Sequence, residues 1–515
     1  MTRALFRMKN FPTNQLAGTN RCDSAFSIGR PSFRRALLLG GIFVAVAFTA
    51  RAEPLTLDEA IQLALERNAQ IKVESFGRSI ARADWLTAMG RFDPKITFHR
   101  SYQEDAALSP DNVIVANLIK TDDYSLTLDG TTPWGMNYSI GGTARNSRYP
   151  EDYTNNFATS GVVRITQPLL KGFGFGSNLL GVRIAKADRR IADWQFRQTA
   201  IDVVTNVIVA YSDVAYYQQN VRIAQRSREL AAGLLDENVK RFKVGSISES
   251  DVTQARAETA TQDESILFAQ QGLRDAINRL RQLIGETSFP IDPGDLVIVP
   301  ADPPEPGPVD VAQDLQKALA SRPDYQEAKQ GIVKRQATDS AARSQLLPQV
   351  DFVGSYGYKG LDQDFAASRR MVRDYDNRSY SAGIVVSVPL TFAEGRGQAR
   401  SARLRLRQAE ADLTRLEQDI AVSIAHAAGT LEMAHKRVEA NRGAYELSKQ
   451  ALDAEIKKLR AGTSSTFVVL QLQRNLIFAE RSFYIAVADL RRAYAAYDRE
   501  LGRTLEVHNI SLAGK

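Results

Sequence analysis

Two periods of hydrophobic and polar residues run through this chain, and each predicts a different element. Ile96 and Phe98 alternate with Lys95, Thr97 and His99, and Tyr124, Leu126 and Leu128 with Ser125, Thr127 and Asp129. Met136, Tyr138 and Ile140 alternate with Asn137, Ser139 and Gly141, and Phe352, Tyr356 and Tyr358 hold one face of a later segment. A period of two with one apolar face predicts strands of a half-buried sheet or of a transmembrane barrel. Elsewhere the steps are three and four: Ile184, Ala187, Ile191 and Trp194, then Leu406, Ala409, Leu413, Leu416 and Ile420. That is the seam of long, coiled-coil-like helices.

Proline and glycine set the limits of these regions. There is no proline from Leu169 to Phe289 or from Leu390 to Lys515, while seven of the 18 prolines crowd between Pro290 and Pro308. The crowded segment is predicted as an extended linker. Glycine interrupts each proline-free stretch near its middle, at Gly245 and Gly462, and each reads as a long helix, a tight tip and a returning helix. Leu179 to Phe242 alone is 64 residues, a rod of roughly 95 Å at about 1.5 Å per residue.

The same order of elements occurs twice. Ala64-Leu65, Pro94, Phe98 and Ser101-Tyr102 recur 254 residues later as Ala318-Leu319, Pro348, Phe352 and Ser355-Tyr356. Gln167-Pro168-Leu169 with Gly174 and Gly176 matches Val388-Pro389-Leu390 with Gly395 and Gly397 at an offset of 221. Glu229-Leu230, Asp236, Lys240, Gly245 and Gln254 match Glu446-Leu447, Asp453, Lys457, Gly462 and Gln471 at 217. A duplication of this size sets the architecture, and neither copy has the means to bury its surfaces alone.

Residues 30–52 read as a secretion signal, which changes the picture of charge. Arg34-Arg35 flanks an apolar run of 15 residues, Ala36 to Ala50, and Ala50-Arg51-Ala52 supplies a cleavage site. The run falls short of the about 20 residues of a spanning helix, and no cysteine follows it, which argues against a lipid-anchored N-terminus. Residues 1–52 carry eight Lys and Arg and one acid, so the net charge of +7 falls to zero after them, with 58 residues of each sign. A nucleic-acid partner therefore has no electrostatic basis. The only cysteine, Cys22, lies in the presequence. The expected domains are a presequence (1–52), a first repeat (53–289; strands about 95–167, helical hairpin about 177–285), the linker (290–308) and a second repeat (309–515; strands about 349–390, hairpin about 397–502).

The ordered set of motifs resembles the outer-membrane factor family, the TolC-like efflux and secretion channels of Gram-negative bacteria. It is carried by Leu55-Thr56-Leu57-Asp58-Glu59-Ala60 with Ala64-Leu65 and Asn68, by Thr166-Gln167-Pro168-Leu169-Leu170-Lys171-Gly172-Phe173-Gly174, and by the tips Arg241-Phe242-Lys243-Val244-Gly245 and Lys458-Leu459-Arg460-Ala461-Gly462. The resemblance implies an α+β membrane protein in which a duplicated helix–strand–strand–helical-hairpin unit builds a homotrimer. Its transmembrane β-barrel would sit in outer-membrane lipid and continue as a long α-helical periplasmic barrel. It implies a passive exit duct of a tripartite efflux or type I secretion system, docked to a periplasmic adaptor (membrane fusion) protein and an inner-membrane pump of RND, ABC or MFS type. Arg241, Gly245, Ser246, Lys458, Gly462 and Thr463 would form the adaptor-docking tips, and Pro168, Gly172, Gly174, Pro389 and Gly395 the turn from barrel into tunnel. The periplasmic gate would fall at Asp251, Ser464, Val468 and Gln471. Two departures stand out. An extra stretch, Thr121 to Arg145, reads as a hairpin turning at Thr132-Pro133-Trp134-Gly135, either as two more barrel strands or as a plug above the membrane. At the gate, Val468 and Gln471 stand where better-known members carry carboxylates, and Ser464 where a basic latch partner is expected.

No motif points to catalysis, a cofactor or a bound metal. Gly172-Phe173-Gly174-Phe175-Gly176 follows a strand and opens a helix, but its spacing is not that of a phosphate loop and no second parallel strand returns. His99, His426, His435 and His508 form no HExxH or other ligand-spaced set, and no nucleophile motif is present. The rival reading is a periplasmic coiled-coil scaffold without a channel. A free-standing porin fits poorly with a mature chain more than half helical.

Overall fold

The computed structural model describes residues 54–107, 117–149, 153–286, 296–299 and 310–512. The expected signal segment and most of the proline-rich linker lie outside the described residues. The chain opens with helices α1 (Leu57–Arg67) and α2 (Ala69–Met89), followed by β1 (Lys95–Ala107), β2 (Asn117–Thr131), β3 (Asn137–Arg148) and β4 (Phe157–Pro168). A short α3 (Phe175–Asn178) leads into α4 (Leu180–Lys243), which returns as α5 (Glu249–Leu283). The second half repeats this with α6 (Val311–Ser321), α7 (Pro323–Arg343), β5 (Gln349–Asp362), α8 (Phe365–Arg373), β6 (Arg378–Ser387), α9 (Ala393–Arg460) and α10 (Thr466–Glu500), and ends in α11 (Thr504–Val507). Both bounds of α1, of α2 and of α5 recur in α6, α7 and α10 at the offsets of the sequence repeat, 254, 254 and 217.

The long helices have the expected lengths, 64 residues in α4 and 68 in α9, or ~95–100 Å. Near the strands, α2, α4, α7 and α9 lie side by side in that order; towards the tips the order becomes α5, α4, α10, α9. The wall is one helix thick, so many side chains on both faces meet solvent. Two apolar cores form where the short helices cross it. One gathers Ile61, Ile201, Val204, Tyr211 and Leu280, the other Ile420, Ile424, Leu490 and Tyr497. Tyr211, almost fully buried, points its hydroxyl at the carbonyl oxygens of Leu55 (2.9 Å) and Val299 (2.6 Å), which fastens both the start of the first repeat and a described piece of the linker to α4. Among the described residues no helix is long and apolar enough to cross a membrane.

Each copy locks its short helices to the end of its returning helix. Thr56 and Glu59 form a capping box on α1. Asn68 then ends α1 and caps α2 through Oδ1, while its Nδ2 donates to the carbonyl of Leu283 at 2.8 Å. The second copy places Arg322 at this position and Pro323 at the first turn of α7. Arg322 donates to the carbonyl of Glu500 at 2.8 Å, the same junction reached by a different side chain. Gly285 and Gly502 end the returning helices with φ of 73° and 68°; a Cβ on Gly285 would lie 2.7 Å from Arg67.

The strands form one antiparallel sheet in the order β1-β2-β3-β4-β5-β6. The extra hairpin is therefore two full strands of the sheet. The plug alternative is corrected, because the turn at Thr132–Gly135 faces the helical end and closes with Thr132 N to Met136 O at 2.8 Å. The sequence reading missed α8, which lies between β5 and β6 at the opposite end.

Asn68→Ala removes both the cap and the bond to Leu283. It should lower stability by about 1–2 kcal/mol, seen as a lower thermal midpoint by circular dichroism in detergent. Asn68→Asp, which keeps only the cap, should fall between the two; an unchanged midpoint for Asn68→Ala would remove this lock from the account.

Candidate functional site

The sheet divides its residues into two chemically distinct faces. Counting from the helical ends at Lys95, Thr131, Asn137, Pro168, Gln349 and Ser387, the residues three positions in are Phe98, Leu128, Ile140, Ile165, Phe352 and Ile384. Seven positions in, the same face carries Tyr102, Tyr124, Tyr356 and Tyr380, with Ala144 and Gly161 between them. This tyrosine level stands ~18 Å up a tilted strand. Nine positions in come Glu104, Asp122, Asn146, Thr159, Tyr358 and Arg378, so apolar character ends there. Exposed Leu169, Leu170, Phe173, Val388 and Leu390 extend the apolar band below the sheet. The opposite face is mostly polar. Arg145 pairs with Asp123 at 2.6 Å, Thr143 with Ser160 and Ser355 with Ser381 at 2.7 Å. Asp123, Thr143, Arg145 and Ser160, with His99, Ser101, Ser125 and Lys359, line an open trough of about 830 Å³. An apolar band edged by aromatics on one face and polar residues on the other is the profile of a strand set between lipid and water.

The turn from sheet to helix is built on the expected glycines in part. Gly172 and Gly174 hold φ of 85° and 84°, a conformation costly for residues with a Cβ. Asn178 donates to the carbonyls of both at 2.7 and 2.8 Å, and the extra hairpin's turn joins this knot through Gly174 N to Trp134 O at 3.0 Å. Pro168 closes β4. In the second copy, Phe392 takes the left-handed conformation (φ 48°) and Pro389 precedes it. Gly395 serves close packing instead, since a Cβ there would lie 2.4 Å from the carbonyl oxygen of Gln345.

At the tips, Gly245 and Gly462 both hold φ of 77°, and the N–H groups of Ser246 and Thr463 close the helices onto the carbonyls of Arg241 (2.9 Å) and Lys458 (3.0 Å). These are helix-ending loops of the same form. Arg241 pairs with Glu237 at 2.5 Å and Lys458 with Glu455 at 3.0 Å, so both expected docking cations are held along their own helices. Phe242 and Val244 stand exposed beside them. The two tips meet through Leu234, Leu452, Leu459, Val469 and Leu470, with buried Asn238 reaching Asp251 O and Thr466 Oγ1 at 3.4 Å.

The gate candidates fall into two kinds. Asp251 accepts hydrogen bonds from Ser248 N (3.1 Å) and Oγ (2.6 Å), which makes it the far member of a capping box on α5. Its counterpart Val468 is partly exposed, and the neighbouring Ser465 makes no side-chain cap. Ser464 donates to Glu455 at 2.6 Å; that bond and Lys458 hold the Glu455 carboxyl below its usual range. Gln471 donates to Asn475 Oδ1 at 3.4 Å. Farther up, Glu480 is buried between α4, α9 and α10, and burial pushes its carboxyl up despite Arg226 at 3.6 Å.

Sheet and helical wall together define the class: a β-sheet segment for the outer membrane carried on long helices. The chain belongs to the outer membrane efflux protein family, whose model matches residues 134–286 and 315–503. It is 26% identical over 358 residues to the outer membrane efflux protein BepC of Brucella suis, covering 68% of this chain and 73% of that one. It is 25% identical over 338 residues to the cobalt-zinc-cadmium resistance protein CzcC of Cupriavidus metallidurans, covering 64% and 74%. Among solved structures, the outer-membrane channel OprN aligns with a TM-score of 0.65 at 19% identity over 87% of this chain and 89% of its own. The Campylobacter jejuni CmeC outer membrane channel aligns at 0.65 and 14%, over 89% and 90%. The protein is thus an outer-membrane efflux protein.

A Cβ added at Gly245 or Gly462 meets nothing within 4 Å, so a substitution there acts through backbone conformation alone. Gly462→Val should strain the tip by ~1–3 kcal/mol and abolish efflux with normal membrane insertion. Gly462→Asn, which tolerates the left-handed region, should retain most activity. Drug- or metal-accumulation assays beside membrane fractionation read the difference; normal efflux by Gly462→Val would separate tip geometry from function.

Proposed function

We propose that three copies of this chain form a passive exit duct, with an eighteen-stranded barrel in the outer membrane and a helical tunnel through the periplasm. The observation that carries this reading is the pair of open edges on a six-stranded sheet whose outer face is apolar. In a hydrocarbon layer such edges need strands from neighbouring copies, and only a closed ring removes them. The polar face then lines the pore, and the one-helix-thick wall continues it. A polar lining with no nucleophile motif suits conduction without chemistry.

The tips Arg241–Ser246 and Lys458–Thr463 are the proposed contacts for a periplasmic adaptor, which couples the duct to an inner-membrane pump of RND, ABC or MFS type. Exposed Phe242 and Val244 support a partly apolar contact there.

The proposed gate lacks the acidic rings expected at positions 468 and 471 and, of the gate candidates, retains only Asp251 as an acid. Asp251 is bound in its cap, and Val468 and Gln471 are uncharged. Purified protein should therefore run as a heat-sensitive trimer in detergent and conduct in planar bilayers without block by micromolar trivalent cations. Val468→Asp with Gln471→Asp should create that block, because confined like charges attract multivalent cations strongly at intermediate dielectric. A stable monomer, extractable without detergent, would favour the coiled-coil scaffold and end the channel reading.

A further inference from the structure

Helix α8 is an addition to the outside of the barrel that the channel reading leaves without a task. It packs on the apolar face of the sheet, across the upper ends of β4 and β5. Phe365 meets the ring of Phe157 edge-on at 5.6 Å, and Tyr375 meets Tyr358 at 4.8 Å. Fully buried Ser368 lies 2.7 Å from the Thr159 hydroxyl and 2.8 Å from the carbonyl of Phe157. The seat is shaped for it: a Cβ at Gly360 would stand 2.0 Å from the Ser368 carbonyl oxygen, and one at Gly161 3.3 Å from Val372. Gly360 lies above the level of Tyr102, Tyr124, Tyr356 and Tyr380, so the helix sits where hydrocarbon gives way to head groups.

Its outward side is basic. Arg369, Arg370 and Arg373 are exposed, and Arg378 follows at the start of β6, its guanidinium 5.4 Å from the ring centre of Tyr380. Asp374 holds Arg373 at 2.9 Å, Asp364 caps α8 and Asp362 accepts from Asp364 N. Among the described residues no carboxylate pairs with Arg369, Arg370 or Arg378. Such cations at head-group depth match phosphate, which guanidinium binds with two parallel hydrogen bonds.

We infer that α8 and Arg378 form a docking surface for the phosphate groups of a phosphorylated glycolipid in the outer leaflet. The inference rests on the barrel reading, since it needs this face to meet lipid. The helix supplies the charge, the tyrosines beneath supply the contact with the acyl boundary, and the glycine seat fixes the depth.

Fluorescently labelled bisphosphorylated lipid A and its dephosphorylated form, titrated against the protein in a zwitterionic detergent, test it by anisotropy. The phosphorylated form should bind more tightly. Arg369→Gln, Arg370→Gln and Arg378→Gln together should weaken it about 100-fold, at roughly fivefold per cation, and leave the dephosphorylated form unaffected. Gly360→Val, which keeps the arginines but unseats α8, should weaken it too, whereas Lys359→Gln on the polar face should not. Equal binding of the two lipids, wild-type binding by the triple variant, or displacement by equimolar inorganic phosphate would overturn the proposal. Planar-bilayer conductance in neutral lipid separates this failure from that of the barrel: all variants conduct if only the lipid site is wrong, and none does if the channel is.

Discussion

The backbone of β1 and β6 sets the terms for everything else in this molecule. Among the described residues each strand pairs on one side only, so the outer side of each presents a row of N–H and C=O groups. In water this is tolerable. In hydrocarbon each unmet group costs several kcal/mol, far more than packing at one edge could offset. An apolar face that belongs in lipid and an edge that cannot stay open there are compatible only within a closed ring. Tyr380 on β6 and Tyr102 on β1 stand at the same level, so closure between neighbouring copies would leave the aromatic belt unbroken.

The helical wall faces the same problem in milder form. Being one helix thick, it has lateral edges as well. Val73, Phe76, Ile80 and Leu86 are exposed along α2 at one side of the arc, and Leu404, Val422 and Met433 along α9 at the other. Exposed apolar stripes at both margins of an arc are what a tube leaves when one segment of it is taken alone. The two larger cores accordingly lie at the girdle of short helices, where α1, α6 and α11 cover the wall, and a smaller one joins the tips.

Much of this was legible in the residues. The repeat offsets carry over into the helix bounds, the alternation at Ile96–Phe98 and Tyr124–Leu128 gives the apolar face of the sheet, and Gly245 and Gly462 mark the tips. What stayed hidden depends on contacts across the chain. Thr132–Gly135 reads as a turn from sequence, but that it lies against Gly174 and Asn178 follows from the sheet's direction alone. Asp251 reads as a charge near a gate; only the geometry of Ser248 shows its carboxylate engaged in a cap. The helix α8 escaped because it is only nine residues long, and the seats of Phe365 on Phe157, Ser368 on Gly360 and Val372 on Gly161 exist only once β4 and β5 are paired.

Duplication has kept the contacts more faithfully than the side chains that make them. Asn68 and Arg322 occupy matched positions and both reach the carbonyl at the end of the returning helix, at 2.8 Å in each case. One does so with an amide that also caps α2, the other with a guanidinium that needs Asp324 and Glu500 to balance it and Pro323 to start α7. At the tips the substitution runs further. The first hairpin begins its returning helix with a Ser248–Asp251 box, the second with an uncapped Ser465 beside a Ser464–Glu455 bond that ties the loop back to the outgoing helix. The glycine turn is common to both because no other backbone geometry closes it; the anchoring differs because any well-placed hydrogen bond suffices. The two halves of the proposed gate are therefore alike in shape and unlike in chemistry, with the restraint on helix α5 in one and on the loop in the other.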